Sequence, residues 1–283
     1  MENKFATKSV LITGCSSGIG LATARRLADN GFTVFATVRK EADAQRLRNL
    51  HEPNLVPICP LDLTRLEDIP AVAETVQTEL QRRGQPGLYA LINNAGGGSV
   101  APIELMNLKV FQTEVQTRLV GWVAMVQAFL PLLRQGSGRI LWIVTPAIFP
   151  TPYVASIHAC DFAVNCLART LDIELKPWDI PNIQIRCGGI KTEKGLQTTA
   201  EVDAILQHPK ADLYRERLDK WSQEMAEFDL KRTEPGLVAQ TVQKALQAEH
   251  PKRRYAIGYM TGAAAFLEAL PQPLTDAILK MRF

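Results

Sequence analysis

Apolar positions follow two rhythms along this chain. Short, nearly unbroken apolar runs recur at Ser9–Thr13, Phe32–Val38, Leu55–Leu61, Leu88–Asn93, Gly138–Val144 and Ile183–Cys187. Runs of that length, bounded by glycine, proline or charge, predict buried strands. Pro57 and Pro60 predict that the third is irregular. Between the runs the apolar spacing turns helical. Over Gly20–Asn30, Leu21, Ala24 and Leu27 share one face, and Gly31 marks the end. Further helices are predicted over Glu41–His51, Leu66–Arg83, Val110–Leu133 and Ala159–Lys176.

Strand and helix therefore alternate, which predicts an α/β fold with a parallel, doubly wound sheet and right-handed crossovers. Composition does not shift enough to divide the chain, so 1–283 reads as one domain. The charged, amphipathic stretch 193–231 predicts a helical lid over the cleft. A C-terminal helix, a strand over Pro251–Gly258 and a tail fill 232–283.

Composition narrows the picture a little. Of 283 residues, 46% are hydrophobic and 22% charged, enough for a sizeable core. A net charge of +3 is too small to predict binding to nucleic acid or an anionic membrane. Five scattered cysteines without metal-ligand spacing predict reduced, packing thiols and no metal. The start, Met1–Phe5, has no signal-peptide pattern, and no apolar stretch is long enough to span a membrane. The expectation is a cytoplasmic protein.

Candidate chemistry starts at Thr13-Gly14-Cys15-Ser16-Ser17-Gly18-Ile19-Gly20, after the first strand and at the start of a helix. Glycine lets backbone N–H groups approach a pyrophosphate, and the helix N-terminus adds donors and partial positive charge. This stretch predicts a nucleotide cradle.

With that motif and three others, the chain resembles the short-chain dehydrogenase/reductase family over nearly its whole length. The cradle matches the family's cofactor loop. Asn93-Asn94-Ala95-Gly96 matches its second hallmark, and Leu61-Asp62-Leu63 its adenine contact. Gly188-Gly189-Ile190-Lys191-Thr192 resembles the loop whose threonine meets the nicotinamide carboxamide, with Cys187 where proline is usual. The resemblance implies a Rossmann-type domain, a homodimer or homotetramer, and cofactor contacts from Gly14, Ser16, Ser17, Gly18, Ile19, Gly20, Asp62, Leu63, Asn94, Ala95, Gly96, Gly188, Ile190 and Thr192. The second strand ends Ala36-Thr37-Val38-Arg39-Lys40, with no acid to repel a ribose 2′-phosphate. Arg39 and Lys40 offer positive charge there, and arginine can grip phosphate bidentately. The expected cofactor is NADP(H), as in the 17β-hydroxysteroid dehydrogenase branch that these stretches resemble.

The catalytic half departs from the family. Its tyrosine slot holds Ile157 and its lysine slot, four residues on, holds Asp161. Isoleucine exchanges no proton, and aspartate reverses the charge that would stabilise a phenolate. The asparagine slot holds Arg118. In the serine slot Thr145 offers a hydroxyl and Val144 does not. Complementary charges at Arg118 and Asp161 predict a buried ion pair, because an unpaired buried charge is costly. Alternatives are an Asp161 that binds the nicotinamide ribose, or a solvated Arg118 beside an Asp161 that caps local backbone. His158 is rotated about 100° around the helix from Ile157 and reads as a packing residue. Cys160 reads as core.

Three functions follow from this pattern. The favoured one is an NADP(H)-binding protein repurposed for a non-redox step, such as isomerisation, cyclisation or dehydration, with Arg118, Asp161 and Thr145 as its polar tools. The others are a carbonyl reductase with an atypical proton donor and a non-catalytic NADP(H)-binding regulator. The apolar loop 146–152, the segment 193–231 and the steroid-branch resemblance predict a bulky lipophilic substrate.

Overall fold

The structure is a computed structural model that describes residues 8–146, 150–192 and 204–282. Seven parallel strands form one sheet: β1 (Ser9–Ile12), β2 (Thr33–Thr37), β3 (Leu55–Ile58), β4 (Ala90–Asn93), β5 (Arg139–Val144), β6 (Asn182–Cys187) and β7 (Arg254–Ile257). Their order is β3-β2-β1-β4-β5-β6-β7. The winding reverses between β1 and β4, so a crevice opens beyond the carboxyl ends of those two strands.

The helices are α1 (Gly18–Asp29), α2 (Glu41–Arg48), α3 (Asp68–Arg82), α4 (Leu108–Val115), α5 (Trp122–Gln135), α6 (Ala155–Glu174), α7 (Arg215–Leu230), α8 (Pro235–Gln247), α9 (Thr261–Ala269) and α10 (Gln272–Arg282). Side chains of a strand alternate between faces. Val10 and Ile12 of β1 accordingly join one core layer with Leu27 of α1 and Val242 of α8. Leu11 joins the other, with Val76 of α3, Phe129 of α5 and Val164 of α6. Both layers bury apolar residues completely, the usual reason a parallel strand reads as an unbroken apolar run.

Several predicted boundaries shift. The helix expected from Ala159 begins at Ala155, so Ile157 and His158 stand on its first turns. The long helix expected over Val110–Leu133 runs from Leu108 to Gln135. It is interrupted by a π-helical turn at Gln116–Gly121. The tail after β7 contains α9 and α10, which the apolar pattern did not announce.

The predicted lid is described only from residue 204. There α7 buries Leu218 and Trp221 against Val100, Ala101, Leu105 and Tyr153, with the Trp221 and Tyr153 rings edge to face at 5.8 Å. The rest of that segment, 193–203, lies outside the described residues. So do 147–149 of the proline-rich loop and the start of the chain, 1–7. Among the described residues no helix is long and apolar enough to cross a membrane, and no group of His, Cys, Asp and Glu is placed to hold a metal ion.

Candidate active site

The cradle has the backbone that its glycines allow. Gly14 and Gly18 adopt φ of 73° and 57°, the left-handed region that glycine enters without strain. At Gly20 a β-carbon would stand 2.1 Å from the Gly14 carbonyl oxygen, so no other residue fits. Ser17 precedes α1 without capping it by its side chain. The first N–H groups of that helix therefore keep their donors for an outside acceptor.

The second hallmark braces the first. The Thr13 hydroxyl accepts from the main-chain N–H groups of Asn94 and Ala95, both at 2.9 Å. The Asn94 amide donates to the carbonyls of Thr13 at 2.9 Å and Gly14 at 3.1 Å. Ala95 fills the space beside Gly14. Asn94 and Ala95 thus shape the cradle, and their polar groups are turned into it.

Around the cradle the other predicted residues take varied places. Arg39 and Lys40 are exposed where β2 ends. Asp62 lies near Arg39 and accepts from the N–H and the hydroxyl of Thr64. Burial opposes its charge, but those bonds and the charges of Arg39 and Arg65 outweigh it, holding its carboxyl below the usual range. Leu63 is a core residue packed against Gly121, so its side chain is unavailable to a ligand. Ile190 is likewise buried, and Gly188 packs against the Tyr259 carbonyl. Thr192 touches Gly18, which closes the two loops on each other across the crevice. Ser16 offers its carbonyl to Arg46 at 3.2 Å. A nicotinamide dinucleotide fits these residues: glycine where a Cβ would fill the cradle, an uncapped helix N-terminus, and cations without an acid at the end of β2.

The altered catalytic slots converge. Arg118 stands in the π-helical turn and Asp161 on α6, and their side chains form a buried ion pair from Nη2 to Oδ1. The other Asp161 oxygen accepts the Thr145 N–H at 2.8 Å. Arg118 Nη1 also donates to the Gly97 carbonyl at 3.4 Å, and its guanidinium lies 5.2 Å from the Trp122 ring. The ion pair is the arrangement the swapped charges predicted. Its burial excludes a solvated Arg118. Thr145 carries a buried hydroxyl oxygen with no partner among the described residues. One such atom at the end of a strand, beside an ion pair, is a feature functional sites tolerate better than cores do.

Ile157 is half-buried and packs on Gly98, where a β-carbon would stand 1.8 Å from Ile157 Cγ1. His158 is half-buried one position around the helix. Burial pushes the Cys160 thiol up to about 11, against the pull of Arg118 and with added push from Asp161 and Glu114. The thiol stays protonated and is core, as its position predicted.

Sequence reasoning missed four contributing residues. Glu114 of α4 is buried, and its charge acts on the same Cys160 thiol as those of Arg118 and Asp161. Gly97 and Gly98 wrap Arg118 and Ile157. Arg46 reaches the cradle from α2. A clue existed only for the glycines, whose run Gly96-Gly97-Gly98 outlasts the hallmark motif.

A family model described as short chain dehydrogenase matches residues 8–202. The chain belongs to the short chain dehydrogenase family. It is 33% identical over 292 residues to 11-beta-hydroxysteroid dehydrogenase type 2 of Bos taurus, an alignment that spans 98% of this chain and 71% of that relative. The fold is shared with a short-chain dehydrogenase from Streptomyces avermitilis at a TM-score of 0.77 and 24% identity, over 100% of this chain and 99% of the other. It is also shared with a short chain dehydrogenase from Burkholderia cenocepacia solved in complex with NADP, at a TM-score of 0.73 and 22% identity over 96% and 97%. A 3-ketoacyl-(acyl-carrier-protein) reductase from Brucella melitensis that shares the fold at a TM-score of 0.70 and 21% identity, over 91% of this chain and 98% of the other, was solved in complex with NADH.

Proposed function

We propose that this chain binds NADP(H) and a bulky lipophilic ligand, and acts on that ligand by a non-redox step without the family's tyrosine–lysine proton relay. The observation that carries this reading is the closed Arg118–Asp161 ion pair, in the slots where the resemblance calls for asparagine and lysine. NADP(H) would lie over Gly14, Ser16, Ser17, Gly18, Ile19 and Gly20. Arg39 and Lys40 would stand on the side of the 2′-phosphate, and Thr192 on the side of the nicotinamide. When bound, such a cofactor supplies hydride chemistry.

The chain's own residues do the rest. Asp161 accepts the Thr145 main-chain N–H and so holds the chain just after β5 beside the ion pair, with the Thr145 hydroxyl left without a protein partner among the described residues. That hydroxyl donates to a ligand carbonyl or hydroxyl oxygen. Arg118 is held nearby in a low-dielectric setting, where its charge stabilises negative charge on that oxygen. Ile157 supplies an apolar wall and moves no proton. Val100, Tyr153 and Trp221 offer apolar surface under α7, the lid of this reading. A relative named for a steroid substrate supports the lipophilic class. Homodimer or homotetramer assembly belongs to the same proposal.

One observation favours a second reading, in which the chain binds cofactor and ligand and turns over neither. Both Asp161 oxygens are already engaged, which leaves the carboxylate poorly placed to serve as an acid or base.

The test incubates the full chain with NADPH and a panel of steroid and retinoid ketones and enols, with products read by mass spectrometry. A ligand isomer, cyclised product or dehydrated product without NADPH oxidation supports the proposal. Stoichiometric NADPH oxidation would overturn it in favour of a reductase with an atypical donor such as Thr145 or His158. Binding of both without product selects the second reading.

A further inference from the structure

The sheet carries a second cavity at its other edge, where the strands begin. It measures about 740 Å³ and lies between the loops that enter β1, β4 and β5 and the end of α8. Three cations border it: Lys8, Arg83 and Arg139. The Tyr89 ring lies between two of them, with Lys8 Nζ 3.8 Å and the Arg139 guanidinium carbon 4.6 Å from its centre.

Arg139 opens β5 and is buried, 8% exposed. Its Nη1 donates to the carbonyls of Ala245 and Leu246 at the end of α8 and of Ala248 just beyond it, at 3.2, 3.1 and 3.0 Å. A cation suits a helix C-terminus, and this accounts for one nitrogen of the guanidinium. It leaves Nε buried without a partner. Lys8 and Arg83 border the same cavity. Arg83 shares the single carboxylate of Glu79 with Arg82. Those two arginines hold the Glu79 carboxyl at about 2, although burial works against them. Among the described residues, Glu249 is the only acidic one lining the cavity, and it is exposed. Asp179 also acts on Arg139, from outside the lining. Positive charge therefore outweighs negative charge along this wall.

A buried guanidinium without a carboxylate partner is costly, and an oxyanion matches its planar donors. We propose that this cavity is a binding site for a small phosphorylated molecule, with the phosphate set between Arg139, Lys8 and Arg83 and the Ser137 hydroxyl within the same wall. The site lies across the sheet from the cofactor cradle, so occupancy of the two is independent in space. Neither the non-redox reading nor NADP(H) binding is required for it.

The test uses the full chain with NADP+ in excess, so that the cradle is filled, and inorganic pyrophosphate as the probe in a calorimetric titration. Saturable one-to-one binding is expected. Lys8→Gln together with Arg83→Gln should weaken it by about tenfold or more, as two charge-assisted contacts are lost. Both residues are half-buried, and Arg82 still pairs with Glu79 in the variant, so the melting temperature, measured alongside, should fall by no more than a few degrees. No saturable binding overturns the proposal. So does binding that the double variant leaves unchanged, which would place the probe away from this cavity.

Discussion

Gly98 and Ile157 meet so closely that a β-carbon on the first would sit 1.8 Å from the Cγ1 of the second. The apolar residue in the tyrosine slot thus depends on a glycine 59 positions earlier (157 − 98). Gly98→Ala should displace Ile157 or the loop after β4 and cost about 1–3 kcal/mol, the usual range for overpacking. Ile157→Ala in the same chain should restore most of that loss, because it removes the obstructing branch. Chemical denaturation of the two single variants and the double variant forms the cycle. Additive losses would show that the contact does not matter.

The Arg118–Asp161 pair gives an asymmetric prediction. Arg118→Met leaves a buried carboxylate unpaired, and Asp161→Leu leaves a buried guanidinium unpaired. Each should cost about 3–5 kcal/mol. Arg118→Met with Asp161→Leu removes both charges and should cost clearly less than either change alone. Denaturant midpoints read this directly. A double variant as unstable as the sum of its parts would mean the two residues are held by something other than each other.

How much of this was legible beforehand differs by element. Apolar runs located β1 to β6 within a few residues, because strands buried on both faces leave little polar alternation to misread, whereas β7 alternates exposed and half-buried residues and carries no such run. The start of α6 was missed because Val154 precedes it without any side-chain cap. Helices α9 and α10 were missed because exposed apolar residues such as Phe266 and Leu274 blur their helical pattern. The ion pair was legible because two slots of a recognisable motif had exchanged charge. Glu114 was not, since no motif marks its position and only packing shows its side chain buried toward α6. The part played by Gly98 could not be read either, since it rests on a contact across the fold.

Thiol chemistry supplies a pH test of the site's dryness. Burial raises the Cys160 thiol to about 11 and the Cys187 thiol to about 12. A raised folded value means the folded state holds its proton more tightly. The resulting stability is complete below the unfolded thiol range near pH 9 and is lost as pH rises through about 11. At pH 8, iodoacetamide should therefore label Cys166, which is exposed, and spare Cys15, Cys160 and Cys187, which are buried. Intact mass and peptide mapping check this. Prompt labelling of Cys160 would place water in the region this structure closes.

Restoring the family's relay tests whether the rest of the machinery survives. The combined change Arg118→Asn, Ile157→Tyr and Asp161→Lys puts back the three residues that the resemblance calls for. The Gly98 side leaves room for a new ring only if the loop keeps its course, so the melting temperature is measured first. With the fold intact, NADPH-dependent ketone reduction should appear or rise by about 10²–10⁴, the usual worth of a positioned proton donor. Ile157→Tyr alone should gain little, since Asp161 would oppose a phenolate. A folded triple variant with no gain would mean that the ligand or the cofactor does not reach the slot.

Cofactor choice rests on the end of β2, where Arg39 and Lys40 are exposed and no acid stands. A carboxylate there would accept from the ribose hydroxyls and repel a 2′-phosphate. Arg39→Asp should therefore weaken NADP+ by about tenfold or more and improve NAD+, while Lys40→Gln alone should weaken NADP+ less. Arg46 adds a control. It donates to the Ser16 carbonyl, so Arg46→Gln should loosen the cradle itself and weaken both cofactors. Equilibrium titration followed by nicotinamide or tryptophan fluorescence separates the cases. Equal loss of both cofactors in Arg39→Asp would remove the charge argument for NADP(H) and leave only the shared nicotinamide fold.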